Sequence, residues 1–251
     1  CLSGINNKEG NQMAQLQELI TNYTPSRAAA QLVADAKLVL LVGITGAGKD
    51  TIKTQLLAEP LFRDIISHTT RKPRINNGTH EVNGRDYHFI TEETAAAMLG
   101  EQAFIEAKFV HGTVYGTSVA EVEEAYRQGK IAITDIDVQG VTEYKELSPG
   151  VVAVFILPPS FSVWQQRLRN RYPSHTAFMA EWPARRRTAI DELTHALELP
   201  YYHFIINDDL AEAVRSTRQI ALKPDIYTRK DDEARLAARD LLDEIIAMSG
   251  E

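Results

Sequence analysis

The sequence predicts an α/β protein, a P-loop parallel sheet with helices on both faces, and three observations carry that prediction. Short apolar runs recur at Leu38–Val42, Ile131–Thr134, Val151–Leu157 and His203–Ile206. Each is too short for a buried helix and has the length of a strand covered on both faces. Segments of helical composition separate these runs, and strands alternating with helices build a parallel sheet. The third observation is the join after the first strand. There Gly43-Ile44-Thr45-Gly46-Ala47-Gly48-Lys49 has the glycine and lysine spacing of a phosphate-binding loop. Its glycines let backbone N–H groups turn around an anion, and the next helix adds its positive N-terminal end. Lys49 supplies a mobile charge for the outer phosphates. An ordinary strand-to-helix turn is the bland alternative, but the buried strand ahead of the loop argues against it. A dinucleotide fingerprint is also excluded, because Thr51 stands where the third glycine belongs. One position breaks the loop pattern: Asp50 follows the lysine where Ser or Thr is usual, and Thr51 comes one place later.

The other elements follow in order. Residues 13–22 and 26–36 are helix-forming, broken at Thr24-Pro25, with Ser26 as N-cap; they should pack on the core. Thr51–Leu57 continues the helix after the loop. Residues 67–91 read as short strands and an exposed loop, with Arg71, Lys72, Arg74 and Arg85 in it. Thr91 caps a helix over Glu92–Leu99. Phe104–Val110 and Thr113–Tyr115 form a hairpin about His111-Gly112. Ser118 and Glu121 make a capping box that opens a helix to about Gln128. The second buried run ends at Asp135 and Asp137. Ser160 caps a helix ending in Arg167, Arg169 and Arg171, and a loop, Tyr172–Pro183, precedes a further helix from Arg185. Asn207-Asp208-Asp209 caps the helix after the fourth strand. Pro224 sets off a last amphipathic helix over about Asp231–Met248.

A chain of 251 residues that is 44% hydrophobic can bury one large core with insertions. A net charge of −7 argues against a nucleic-acid partner. The single cysteine, Cys1, excludes a disulfide framework and fits a reducing compartment. No apolar run reaches the roughly 18 residues of a membrane span. The polar run Leu2–Gln12 reads as an upstream extension with Met13 as a natural start, and the expected location is the cytoplasm. The seven histidines have no paired metal-ligand spacing.

A phosphate loop alone names no reaction. Downstream, Ser67-His-Thr-Thr-Arg71-Lys-Pro-Arg74 sets two arginines three apart, suited to grip a phosphate dianion by charge-assisted forks. Taken alone, the same segment could equally be a solvated basic loop, and Tyr87 and Tyr115 could be core aromatics.

With GITGAGKDT, SHTTRKPR, EVNGRDYHF, FIEAKFVHGTVYGTS, DIDVQG and IINDDL in order from about Lys37 to Val214, the chain resembles the guanylate kinases. The resemblance implies ATP-dependent phosphorylation of GMP or dGMP, with Mg2+, on a P-loop core bearing a GMP-binding insertion and a mobile lid. It implies a core over 37–66, 130–164 and 192–222, the insertion over 67–129, the lid over 165–191, and helical extensions at 1–36 and 223–251. By motif, Arg71, Arg74, Tyr87 and Tyr115 would bind the phosphate of GMP, and Ser67, Glu106, Thr117 and Asp135 would read guanine. Gly43 through Thr51, with Asn207, would bind ATP. Lys49, Arg167, Arg171 and Arg185 would be catalytic, and Asp50 and Asp137 would serve magnesium, directly or through water.

Guanine chemistry agrees: its N1–H and 2-amino group are adjacent donors that one carboxylate accepts together, whereas adenine offers no such pair. The acceptor phosphate is already anionic, so positioning and charge neutralisation suffice. The chain departs from the family pattern at Asp50, in the long 75–80 loop, at Val114 and in its lid loop. The rival from another class is a catalytically impaired protein-binding module of the same fold. Lys49 and the lid arginines oppose it and Asp50 favours it. A kinase of altered base choice is opposed by Glu106 and Asp135.

Overall fold

The structure, a computed structural model, describes residues 13–76, 79–110, 112–226 and 229–248; Leu2–Gln12 lies outside the described residues. Helices α1 (13–21) and α2 (Arg27–Asp35) lead into strand β1 (Leu38–Val42). Ser26 caps α2 as expected, accepting from Ala29 N at 3.1 Å. Every residue of β1 is buried, as its unbroken apolar run requires. The glycine loop then opens α3 (Lys49–Leu57), and β2 (Phe62–Asp64) follows. Three residues carry too little periodicity for β2 to be read from sequence.

Next come β3 (His68–Thr69), β4 (Ile75–Asn76), β5 (Thr79–His80), β6 (His88–Phe89) and α4 (Glu92–Gly100). Thr91 caps α4 through Thr94 N at 3.2 Å. The hairpin strands are β7 (Phe104–Val110) and β8 (Thr113–Ser118), the second running beyond Tyr115. His111, and Asn77 and Gly78 of the long loop, lie outside the described residues.

Helix α5 (Val119–Arg127) has only half of the expected capping box. Ser118 Oγ accepts from Glu121 N at 3.4 Å, but the Glu121 carboxylate turns to His88 Nε2 at 2.9 Å and Ile66 N at 3.3 Å. Strand β9 (Ile131–Asp135) precedes α6 (Val138–Leu147), a helix the sequence reading missed. Strand β10 (Val152–Leu157), α7 (Phe161–Arg169), α8 (His175–Glu198), β11 (Tyr202–Ile206), α9 (Leu210–Leu222) and α10 (Arg229–Ala247) complete the chain.

The largest correction is α8. The expected loop over Tyr172–Pro183 is mostly helix: Ser174 caps it through Ala177 N at 3.1 Å, and the helix continues through Pro183. A proline there forfeits the bond to the Met179 carbonyl, typically costing about 3 kcal/mol. Aromatic packing offsets that cost. Trp182 lies 5.3 Å from Trp164, 5.4 Å from Phe178 and 6.1 Å from Phe161, ring centre to ring centre.

The central sheet has the order β11-β10-β1-β9-β2. Val42 pairs with Phe155 and Phe155 with Phe204, both in parallel ladders. The chain forms two compact units. One comprises Leu38–Arg63, Ile133–Thr142 and Gly150 onward; the other comprises the chain up to Lys37, Asp64–Ala132 and Glu143–Pro149. In the former, α10 covers β11, with Arg235 donating to the Leu197 and Leu199 carbonyls and lying 4.7 Å over the Phe204 ring. The latter carries the four-stranded sheet β6-β3-β8-β7 and the ribbon β4-β5.

Helix α1 packs on the hydrophobic core of this second group. Leu16, 1% exposed, completes a cluster with Ala95, Leu99, Phe104 and Val114. The apolar face of α1 finds its complement between α4 and the hairpin.

Candidate active site

The loop after β1 has the backbone its glycines permit. Gly43 has φ +136° and Gly48 φ +101°. A Cβ at Gly43 would stand 2.3 Å from the Ile156 carbonyl oxygen, and one at Gly48 2.2 Å from Asn207 Nδ2. Conformation and space both demand glycine at these positions. Ile44 and Ala47 are fully buried beneath the loop.

Three side chains hold the loop's carbonyls. Asn207 Nδ2 donates to Ala47 O at 2.8 Å, Arg167 Nη1 donates to the same oxygen at 3.3 Å, and Trp164 Nε1 donates to Thr45 O at 2.8 Å. Arg167 Nη2 also donates to Asn207 O at 3.1 Å, so this arginine is tied into the loop's support. The other two arginines of the predicted set lie apart from that contact. Arg171 Nη2 is 3.9 Å from Asp50 Oδ2, while Arg185 Nε donates to the Tyr172 hydroxyl at 3.0 Å and its Nη2 is 3.5 Å from Glu181.

Lys49 Nζ donates to the Gly43 carbonyl, curled over the loop. Thr51 is exposed on the first turn of α3. Asp135 Oδ1 accepts from Lys53 Nζ at 2.8 Å. Burial alone would raise this carboxyl, but Lys53, reinforced by Lys49, holds it below the usual carboxylate range. Asp137 Oδ1 accepts from Gly140 N at 2.7 Å, which orients it at the start of α6.

Two residues here were missed in the sequence. Lys53 sits one helical turn beyond Lys49, a spacing that could have found it. Glu192 lies on α8, where burial pushes its carboxyl up to about 7, Lys49 pulls it down and Asp137 pushes it further up. Its Oε2 is buried and has no hydrogen-bond partner among the described residues. No local motif marks Glu192.

In the other unit the basic segment is more than a solvated loop. Arg71 makes a two-pronged bond to Glu81, Nη1 to Oε2 at 2.8 Å and Nη2 to Oε1 at 3.0 Å. Glu81 raises the guanidinium pKa further, ahead of the opposing effect of burial. The guanidinium lies 5.2 Å over the Tyr87 ring, and Tyr87 and Tyr115 meet edge to face at 6.1 Å. Arg74 is exposed, and its backbone N donates to Glu81 Oε2 at 2.7 Å. Glu81 therefore organises both arginines, a role the sequence reading did not assign.

On the hairpin, Glu106 is 8% exposed and accepts from Thr117 Oγ1 at 2.9 Å. Burying a carboxylate is costly unless hydrogen bonds compensate it. Ser67 stands at the entry to β3, its carbonyl accepting from His88 N at 2.9 Å.

Behind Ser67, the His68 ring lies 4.6 Å from that of His88. Burial first, then His88, pushes the His68 imidazole down to about 4, with Glu121 opposing. Its folded pKa thus lies below the unfolded value of about 6.5, so the unfolded chain binds the proton more readily. Stability is complete above about pH 6.5 and is lost as pH falls through the window toward the folded value. Denaturant titrations from pH 7 to 4 should show a smaller acid-side loss for His68→Gln than for the native chain. Identical pH profiles would contradict this reading.

A glycine loop held by buried side chains on a parallel sheet defines a P-loop nucleotide-binding enzyme. The family model described as Guanylate kinase matches residues 35–223. A guanylate kinase of Syntrophotalea carbinolica is 39% identical over 186 residues, covering 74% of this chain and 84% of that one. One from Synechocystis is 37% identical, covering 74% and 94%. The crystal structure of guanylate kinase from Anaplasma phagocytophilum superposes with a TM-score of 0.56 at 26% identity, covering 82% of this chain and 93% of that one. The chain belongs to the guanylate kinase family. Helices α1 and α10 lie outside the matched stretch.

Proposed function

We propose that the chain transfers the γ-phosphoryl group of ATP to GMP or dGMP, giving ADP and GDP or dGDP, in cytoplasmic purine nucleotide metabolism. The observation that carries this reading is the buried Glu106 with its Thr117 partner. It is a buried double acceptor matched to the paired donors of guanine.

Each residue then has a physical task. Arg71 and Arg74, with the Tyr87 and Tyr115 hydroxyls, take the phosphate of GMP, and Glu81 holds Arg71 in place beforehand. Ser67, Thr117 and Asp135 share guanine with Glu106. The backbone of Gly43 to Thr51 cradles the phosphates of ATP, Asn207 supports the adenine side, and Lys49 neutralises the outer phosphates. Arg167 fixes the loop; Arg171 and Arg185 are long and exposed enough to reach transferring oxygens. Such a reaction needs alignment and spread charge rather than a general base.

Magnesium fits the donor set. Asp50 and Asp137 are oxygen donors of the kind a hard cation takes, with water and phosphate oxygens completing its shell. Asp50 and Asp137 would hold such an ion, directly or through water, and it would supply charge neutralisation at the phosphates. No helix among the described residues is long and apolar enough to cross a membrane.

Asp50 supplies a prediction of its own. Its carboxylate is 73% exposed at the first turn of α3. Without the metal it would face a phosphate at about 4 Å, a repulsion between about 1 kcal/mol in water and about 4 kcal/mol at a dielectric near 20. Asp50→Ser should therefore improve ATP affinity about fivefold or more in chelator, and shrink the gain from magnesium. Calorimetry with and without Mg2+ measures both, and equal metal-free affinities would show that Asp50 turns away from the phosphates.

The reaction itself is tested by phosphorus NMR of GMP, ATP and Mg2+ with the chain. GDP and ADP should appear in equal amounts. ADP without GDP would reduce the chain to an ATPase.

A further inference from the structure

The family match begins at residue 35, yet the segment ahead of it reaches the strand that carries Glu106. The Tyr23 hydroxyl donates to the Phe104 carbonyl at 2.6 Å and accepts from Phe104 N at 3.0 Å. Strand β7 is the edge of its sheet, so one hydroxyl satisfies both backbone groups that a further strand would otherwise pair. One residue on, the Thr24 carbonyl accepts from Gln102 Nε2 at 3.0 Å. Gln102 has φ +52°, the only described non-glycine residue at positive φ. It closes α4 in a left-handed cap, with Ala103 N donating back to Met98 O at 2.9 Å.

Both bonds lie on the N-terminal side of an irregularity, the nearer of them at its first residue. The β7–β8 register shifts between Phe104 and Glu106: Phe104 faces Ser118 and Glu106 faces Thr117. A slip of one residue turns every side chain to the opposite face. Here it would replace Glu106 with Ile105 or Ala107 opposite Thr117. Leu16 in the apolar cluster anchors the helix from which Tyr23 emerges. Tyr23 also lies close enough to Glu106 for the carboxylate to raise its phenol pKa, after the larger effect of burial.

We propose that Tyr23 is a positioning residue for base recognition: its hydroxyl, on an extension outside the family match, fixes the β7 irregularity that presents Glu106 to guanine. This rests on the proposed reading of guanine by Glu106. The extension is thereby part of the nucleotide-binding apparatus, and Gln102 and Thr24 are its second point of attachment.

Tyr23→Phe keeps the ring in the apolar cluster and removes only the hydroxyl. The probes are GMP and inosine monophosphate, which lacks the 2-amino group and so reports one of the two donors that Glu106 accepts. Tyr23→Phe should raise the KM for GMP about tenfold, a typical consequence of one lost buried hydrogen-bond partner. It should leave the KM for ATP and kcat within twofold, and reduce the preference for GMP over inosine monophosphate. In a Glu106→Gln background, the same substitution should change the GMP parameters less than twofold.

A variant with a lowered Tm but native KM and native preference would reduce Tyr23 to a structural role and overturn the proposal. So would an undiminished effect in the Glu106→Gln background. If Glu106→Gln itself leaves the preference unchanged, base reading by Glu106 fails and the proposal falls with it. If Glu106→Gln changes the preference and Tyr23→Phe does not, the positioning role alone is refuted.

Discussion

Lys49→Met should lower kcat by about 10²- to 10³-fold, the usual consequence of removing one charge-stabilising donor from a reaction centre. The lysine stands at the mouth of the glycine loop, with its ammonium on the Gly43 carbonyl. ATP replaces that carbonyl with phosphate oxygens, whose charge changes most during transfer. Methionine keeps most of the unbranched apolar stem but not the charge, so the loss should fall on kcat more than on the KM for GMP. The melting temperature should stay near native, because the loop's carbonyls are held by Asn207, Arg167 and Trp164 instead. A kcat within fivefold of native would remove Lys49 from the chemistry. A collapse in stability would make it a structural residue.

Glu106→Gln should weaken GMP by about 2 kcal/mol, roughly 30-fold, because one accepting oxygen becomes an N–H facing another donor. The site is 8% exposed, so water cannot relieve the mismatch. Thr117 bonds one carboxylate oxygen and can reorient its hydroxyl to suit the amide. Steady-state kinetics with GMP should show the loss in KM, with the KM for ATP unchanged. Unaltered GMP kinetics would mean that Glu106 does not read the base.

The legible parts of the fold were those where one local signal decided the outcome. Leu38–Val42 could only be a buried strand, and the glycines after it could only turn. Ser26, Thr91 and Ser118 announced helix starts because a cap is a contact within four residues. Helix α6 was hidden by Gly140, which reads as a breaker. A Cβ there would meet Ile136 Cδ1 at 2.3 Å, so that glycine serves close packing. The first turns of helix α8 were read as a loop running to Pro183, while the aromatic rings that pack the helix around that proline come from Phe161 and Trp164 on α7.

The candidate site divides the same way. Loop residues and paired arginines have fixed spacing and could be named from sequence. Glu81, Lys53, Glu192 and Tyr23 act through partners that the fold supplies: Arg71 ten residues away, Asp135 on a strand, Lys49 on another helix and Phe104 beyond three helices. Tyr23 belongs to a segment that the family pattern does not include, so no motif could point to it.

The central claim is transfer of phosphate from ATP to a guanine mononucleotide. The most direct measurement is a coupled assay of ADP release with Mg2+ and ATP, offering GMP, AMP, CMP and UMP in turn at equal concentration. GMP should support turnover at least about 10²-fold above each of the others, since a buried site built for paired donors rejects bases that lack them. Comparable rates with AMP, or ADP release that is independent of the acceptor, would contradict it.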